Sequence, residues 1–294
     1  MLLCTALFVG CSDKKLGDDE GHGGNAKKEI PNDMKKAFPD PIFRAYVLEN
    51  FDIDGDGKIS KKEAEAVTSI DVSKNSSTPD DERIASLEGI QFFTNLTYLD
   101  CNDNKLTELD VTQNPALTEL WCRENQLTTL NVSGCSALTY LFCYYNQLTK
   151  LDVTQNPALK YLYCYRNQLT TLDVTQNTAL TYLSCENNQL TTLDVTHNPA
   201  LETLHCSSNQ LTELDVTQNT ALTTLHCYSN QLTELDVSKT NLGNSTYGWP
   251  LVCYPMNGSG LETLYLKTGW EIKYIYPERN NGYVPADTDI QFKD

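Results

Sequence analysis

Histidine, methionine and tryptophan are scarce in this sequence, at 4, 3 and 3 residues out of 294. Basic side chains are few as well. The 22 Lys and Arg stand against 39 Asp and Glu, a formal charge of -17. A phosphate backbone needs Lys and Arg to displace its counterions, so this balance excludes a nucleic-acid partner. No apolar run approaches the ~18 residues that a membrane span requires. The Cys-x-x-Cys pairs of zinc sites are missing. So are a nucleophile–base constellation, a Gly-rich phosphate loop and an isolated carboxylate pair outside one acidic loop, and the chain is not expected to be an enzyme. What is abundant is more informative: 11 Cys and 16 Tyr in a chain that is 40% hydrophobic.

The first residues, MLLCTALFVGC, form a short apolar run ending in Gly10-Cys11. The run lacks the basic residues that usually precede such a signal, which leaves room for a start upstream. The ending FVGC resembles the lipobox of bacterial lipoproteins. That resemblance implies cleavage before Cys11 and acylation of its sulfur, so that residues 1–11 are a signal and the membrane is reached through a lipid anchor. Each buried acyl methylene contributes about 0.8 kcal/mol. Ser12 follows the cysteine rather than Asp, which in the family favours the outer membrane over inner-membrane retention. The acidic start of the stretch after it loosely resembles the surface-export tags of Bacteroidetes lipoproteins, which implies surface exposure. Residues 12–39 are charged, rich in Gly and poor in apolar side chains, and are expected to be a flexible tether.

Residues 40–70 carry a compact motif. Asp40 is suited to cap a helix with Pro41 at its first position. Residues 41–51 then place Phe43, Val47, Leu48 and Phe51 on one face. Directly after comes DIDGDGKISKKE, residues 52–63, which matches the EF-hand loop position for position. Asp52, Asp54 and Asp56 supply side-chain oxygens, Lys58 its backbone carbonyl, Ser60 a water-mediated contact, and Glu63 two oxygens. Gly57 permits the sharp turn. Packed carboxylates repel one another unless a hard cation neutralises them, so one structural Ca²⁺ is expected. Ser60 and Glu63 also form a capping box for the exit helix.

The body is a repeat. Cysteines fall at 101, 122, 143, 164, 185, 206 and 227, every 21 residues. An Asn column follows each Cys by three residues, and an Asp column runs through 110, 152, 173, 194, 215 and 236 with Asn131 substituting once. The unit L-x-x-L-x-C-x-x-N-x-L resembles the leucine-rich repeat signature, and its short length resembles the internalin-like repeats of bacterial surface proteins. The implied fold is an α/β-poor solenoid, a right-handed coil with one parallel β-sheet. A helical EF-hand-type cap is expected at its N-terminus and a β cap at its C-terminus. Seven units span residues 94–242, after an irregular unit at 71–93 and before a loop, last coil and cap at 243–294. One coil cannot close a core, but stacked coils share one. The Asn column is expected to satisfy backbone groups between coils, and the Asp column to make local turn bonds. The cysteines are expected to be buried free thiols, since in-register Cβ vectors run parallel. Cys135 and Cys253 fall outside the column.

Function is expected on the outward strand positions, because the scaffold repeats and they do not. Those positions gather Trp121, Arg123, Tyr140, Phe142, Tyr144, Tyr161, Tyr163, Tyr165, Arg166 and Tyr182, continuing through His205, His226 and Tyr228. Exposed aromatic patches mark interaction sites, and Tyr and Trp dominate binding hot spots. The internalin resemblance implies protein recognition or adhesion at the cell surface, and the chain is expected to be a monomer. The alternative is a glycan-binding module, with rings stacking on sugars.

Overall fold

The computed structural model describes residues 29–242, 251–253, 261–268 and 288–293. Cys11 lies outside these, as does the first part of the tether. Among the described residues no helix is long and apolar enough to cross a membrane.

Each coil contributes one short strand where the Leu-x-Cys alternation puts Leu and Cys on one face. The strands are β1 (Ser69–Asp71), β2 (Tyr98–Asp100), β4 (Glu119–Trp121), β6 (Tyr140–Phe142), β7 (Tyr161–Tyr163), β8 (Tyr182–Ser184), β9 (Thr203–His205), β10 (Thr224–His226) and β12 (Leu251–Val252). They pair in parallel, in that order, into one nine-stranded sheet. The 21-residue period sets the register: Leu99, Leu120, Leu141, Leu162, Leu183, Leu204 and Leu225 are successive partners. The Leu-Asp-Val stretches, with two C-terminal strands, add two small sheets. One joins β3 (Glu108–Asp110) to β5 (Thr129–Asn131), and the other runs β11 (Glu234–Asp236), β13 (Thr263–Lys267), β14 (Asp289–Lys293).

The core is a row of identical layers. In a central coil Leu159, Leu162, Cys164, Leu169 and Val174 are fully buried and Leu172 nearly so. A fully buried Leu or Val contributes about 1.5–3 kcal/mol, and each coil shares these contacts with both neighbours. The seven column cysteines are buried free thiols, as expected. Cys253 is a correction to the sequence reading. The pairing of β10 with β12 sets it beside Cys227 as an eighth member of the column.

The Asn column works as anticipated. Asn167 is typical: its Oδ1 accepts from Leu148 N, and its Nδ2 donates to the carbonyls of Cys143, Cys164 and Tyr165. A second column was not anticipated. Asn114, Asn156, Asn177, Asn198 and Asn219 are fully buried, and each Nδ2 donates to two carbonyls of the preceding coil. Cys135 stands in this column and does the same work, its Sγ lying 3.2 Å from Val111 O and 3.5 Å from Asn114 O. The Asp column makes the local bonds expected of it, as in Thr175 N and Oγ1 donating to Asp173.

The N-terminal end is closed by three helices, α1 (Met34–Ala37), α2 (Pro41–Phe51) and α3 (Lys61–Ala66). Helix α1 corrects the tether reading: residues 33–39 fold, and Phe38 is fully buried. Its ring meets Phe43, Phe92 and Phe93 at centroid distances of 5.7, 5.8 and 5.9 Å, sealing the first coil. Gly89, at φ +108°, is where this cap seats. A Cβ there would lie 2.2 Å from the Phe38 ring and 2.6 Å from Ala37 O.

Candidate functional site

The strand face is a ladder of rings. In-register pairing at the ~4.8 Å spacing of parallel strands is close to an aromatic stacking distance, so like positions on neighbouring coils stack. Tyr140 stacks on Tyr161 at 4.7 Å and 5°, Phe142 on Tyr163 at 4.7 Å and 19°, and Tyr144 on Tyr165 at 4.3 Å and 11°. Trp121 meets Phe142 at 4.9 Å, and Tyr163 continues to Tyr182 at 4.5 Å. His205 and His226 extend the row, stacked at 4.4 Å and 4°. Arg123 lies over Tyr144 and pairs with Glu124 and Asp103, while Arg166 lies over Tyr145. Tyr228 is half-buried at the far end. The face therefore brings all thirteen sequence-assigned residues onto one continuous surface.

Simple strand alternation fails to describe this face in two respects. Asp100, Asn102, Asp103, Ser184 and Ser207 occupy outward positions but are buried. Ser184 is small and lies between Tyr163 and His205 in the sheet, which overtop it. The residue before each column Asn also differs from an ordinary strand position. Asp103, Glu124, Tyr145, Arg166, Asn187, Ser208 and Ser229 all have φ between 53° and 56°, in the left-handed region. Non-glycine residues reach it at a cost of about 1–2 kcal/mol. The signal was present in composition: no Val, Ile or Thr occurs in that column, and β-branched residues are the worst fitted to positive φ.

His205 sits at the turning point from phenols to imidazoles. Its Nδ1 lies 3.3 Å from the Tyr182 hydroxyl. Burial, with His226 beside it, pulls its pKa down to about 4. A histidine whose folded pKa is depressed adds stability that is fully present above the unfolded value near 6.5 and is lost as pH falls through 4. We expect the melting temperature of the chain to contain a decline across that window that is missing in His205→Phe. Equal pH profiles for the two proteins would refute this.

The acidic loop forms the second candidate site. Oxygens of Asp52, Asp54 and Glu63 lie within 4.8 Å of one another. Asp52 accepts from the backbone N–H groups of Gly55, Asp56 and Gly57, the latter at φ +77°. Glu63 accepts from Ser60 Oγ and from the backbone of Ser60, Ile53 and Asp54, which draws its pKa down to about 2. The capping box is formed. Ile59 is buried and ties the loop to the cap. Asp56 is not in the cluster: its carboxylate accepts from Lys58 N instead. The Lys58 and Ser60 side chains stand exposed. Three converging oxygens, all from carboxylates, suit a hard oxygen-seeking cation.

A family model for leucine-rich repeats matches residues 94–134 and 199–240. The chain is a leucine-rich repeat solenoid. Solved structures of the same fold agree. The functional domain of InlJ from Listeria monocytogenes, described as including a cysteine ladder, is 32% identical with a TM-score of 0.54, over 88% of this chain and 61% of that one. This solenoid thus spans about three fifths of the InlJ domain. Internalin C2 from the same organism is 25% identical with a TM-score of 0.57, over 70% of this chain and 90% of that one. A leucine-rich repeat protein of Leptospira interrogans shares the fold at 24% identity and a TM-score of 0.56, over 71% of this chain and 57% of that one. None of the curated proteins matches the chain in sequence.

Proposed function

We propose that this leucine-rich repeat protein is a recognition module displayed on the bacterial outer membrane, held by a lipid on Cys11, and that it binds a protein partner through the ring ladder. The observation that carries this reading is the stacking itself. Rings that lie on one another at 4.3–4.7 Å present their edges and hydroxyls to solvent, not their faces. Sugar platforms depend on an open ring face, so the glycan alternative loses its main contact. A long row of phenol edges suits a broad protein surface, with Tyr providing contact area and a polar tip at low entropy cost. The similarity to internalins supports the same class of partner, and a binding rather than catalytic role.

The test is a parallel screen of the chain against a glycan array and against cell-surface proteins, with Tyr161→Ala/Tyr163→Ala as the control. We expect protein hits that the double variant loses. A glycan hit lost by the variant would overturn the choice of partner, and hits that survive it would overturn the face. Acylation at Cys11 is checked by partition into a detergent phase, which Cys11→Ala should abolish.

We further infer that Asp52, Asp54 and Glu63, with Asp56 and the Lys58 carbonyl drawn in, hold one structural Ca²⁺ that clamps the helical cap. A single loop without a partner loop fits a clamp better than a sensor. Chelation is expected to lower the melting temperature, and Asp52→Ala to remove that sensitivity. A melting curve unmoved by chelator would sink the site.

A further inference from the structure

The sheet face changes character at its N-terminal end. Asp71 on β1 is the register partner of Asp100 on β2, which in turn faces Trp121 on β4; beside them run Ser69, Tyr98 and Glu119. Two carboxylates therefore stand side by side on neighbouring strands, an arrangement that destabilises a sheet. Asp100 is 8% exposed and accepts from Asn102 N, with the Tyr98 hydroxyl at 3.4 Å. Asp71 accepts from Ser73 N and Oγ. Among the described residues no ion pair reaches either Asp. Arg123 acts on Asp100 from a distance, and its own ion pairs are with Asp103 and Glu124.

The consequences show in the neighbouring groups. Burial, then Asp71, raises the Asp100 pKa. Burial, followed by Asp100, Asp71 and Glu119, pushes the Tyr98 phenol up to about 12. The fold thus keeps a negative potential, offset only in part by Arg123, where it costs stability, on the face already assigned to recognition. The rings of Tyr98 and Trp121, 6.1 Å apart and inclined by 56°, border the carboxylates. Carboxylates beside aromatic rings are what a guanidinium or ammonium group seeks, through charge and through cation–π attraction.

Resting on the reading of the strand face as a protein-binding surface, we propose that its occupant is basic, and that it seats an Arg or Lys side chain over Asp71 and Asp100, between Tyr98 and Trp121. The partner is then oriented: its cationic end lies at β1 and β2, and its remaining contact runs along the phenol edges toward β9. The acidic end of the face supplies specificity and encounter rate, and the ring ladder supplies area.

A phage-displayed library of random short peptides, panned on the full chain, tests this. We expect binders enriched in Arg and Lys, whose affinity falls at least about tenfold in Asp71→Asn/Asp100→Asn and on raising salt. The same variant should melt at a higher temperature than the parent chain, since it removes the like-charge pair. A merely structural role for the two Asp residues would lower it, and that result would overturn the proposal. Binders lost in Tyr161→Ala/Tyr163→Ala but without basic enrichment would overturn the cationic occupant and leave the face intact. Binders indifferent to both variants would overturn both.

Discussion

Asn167→Leu is expected to destabilise the solenoid by roughly 4 kcal/mol, measured as a shift in the denaturant midpoint. The side chain is buried and makes bonds in two directions. Its Oδ1 serves the Leu148 N–H at 3.0 Å, and its Nδ2 serves the carbonyls of Cys143, Cys164 and Tyr165 at 3.0, 3.1 and 3.5 Å. Leucine would fill the volume but leave the buried Leu148 N–H unpaired and remove one bond from each of three carbonyls, which keep Asn146 Nδ2, Asn188 Nδ2 and Tyr145 N. The unpaired donor costs about 1–3 kcal/mol and each lost bond about 0.5–1.5 kcal/mol. Because stability in a solenoid is a sum over neighbouring coils, a break at this central coil weakens two interfaces at once. Two controls separate this from general packing damage. Asp173→Ala removes one exposed turn acceptor and should cost about 1 kcal/mol, on the scale of a helix cap. Asn156→Cys should be tolerated within about 1.5 kcal/mol, because Cys135 already serves in that column through its thiol. If Asn167→Leu cost no more than Asp173→Ala, the column would be ornament.

The first Asn column was legible because its spacing from each Cys is constant, and a polar residue repeated at the end of every strand has one economical use. The second column was equally periodic, yet its chemistry was hidden. Its five Oδ1 atoms are buried without a partner, and no pattern of letters reports which half of an amide is satisfied. The ring ladder was legible as a list of residues and illegible as a geometry. Alternation places Tyr140 and Tyr161 on the outside, but only the parallel register makes them lie face to face at 4.7 Å. That single fact turns exposed faces into exposed edges, and the proposed preference for a protein partner rests on it. Burial at Asp100 and Ser184 escaped for the same reason, since alternation gives direction and not the height of the neighbours. The acidic loop matches the motif position by position, yet Asp56 stands outside the cluster of Asp52, Asp54 and Glu63, with its carboxylate on Lys58 N. Cys253 was missed because 26 residues rather than 21 separate it from Cys227, and only the strand pairing shows the return to register.

Asp40 carries the second large effect. From the sequence it is a helix cap, and its Oδ1 does accept from Ile42 N and Phe43 N at 2.9 and 3.0 Å. Its other oxygen crosses to the solenoid, accepting from Ala85 N and Ser86 N at 2.9 and 3.2 Å. One carboxylate, 8% exposed, thus ties the helical cap to the start of the first coils. At an ordinary N-cap Asn is as good as Asp. Here it cannot be, because an amide offers one acceptor oxygen, and its NH₂ group would face two further N–H donors. We expect Asp40→Ala to cost about 4 kcal/mol and Asp40→Asn about 2 kcal/mol or more, each hydrogen bond to a charged group being worth about 1.5–3 kcal/mol. The loss should be local before it is global. The cap opens first, exposing the Phe38, Phe92 and Phe93 cluster, while the central coils stay closed. Hydrogen exchange should therefore accelerate across α2 well below the main melting transition, and calcium should slow it again if the acidic loop clamps the same element. An Asp40→Asn protein with the exchange pattern of the parent would show that the second oxygen holds nothing.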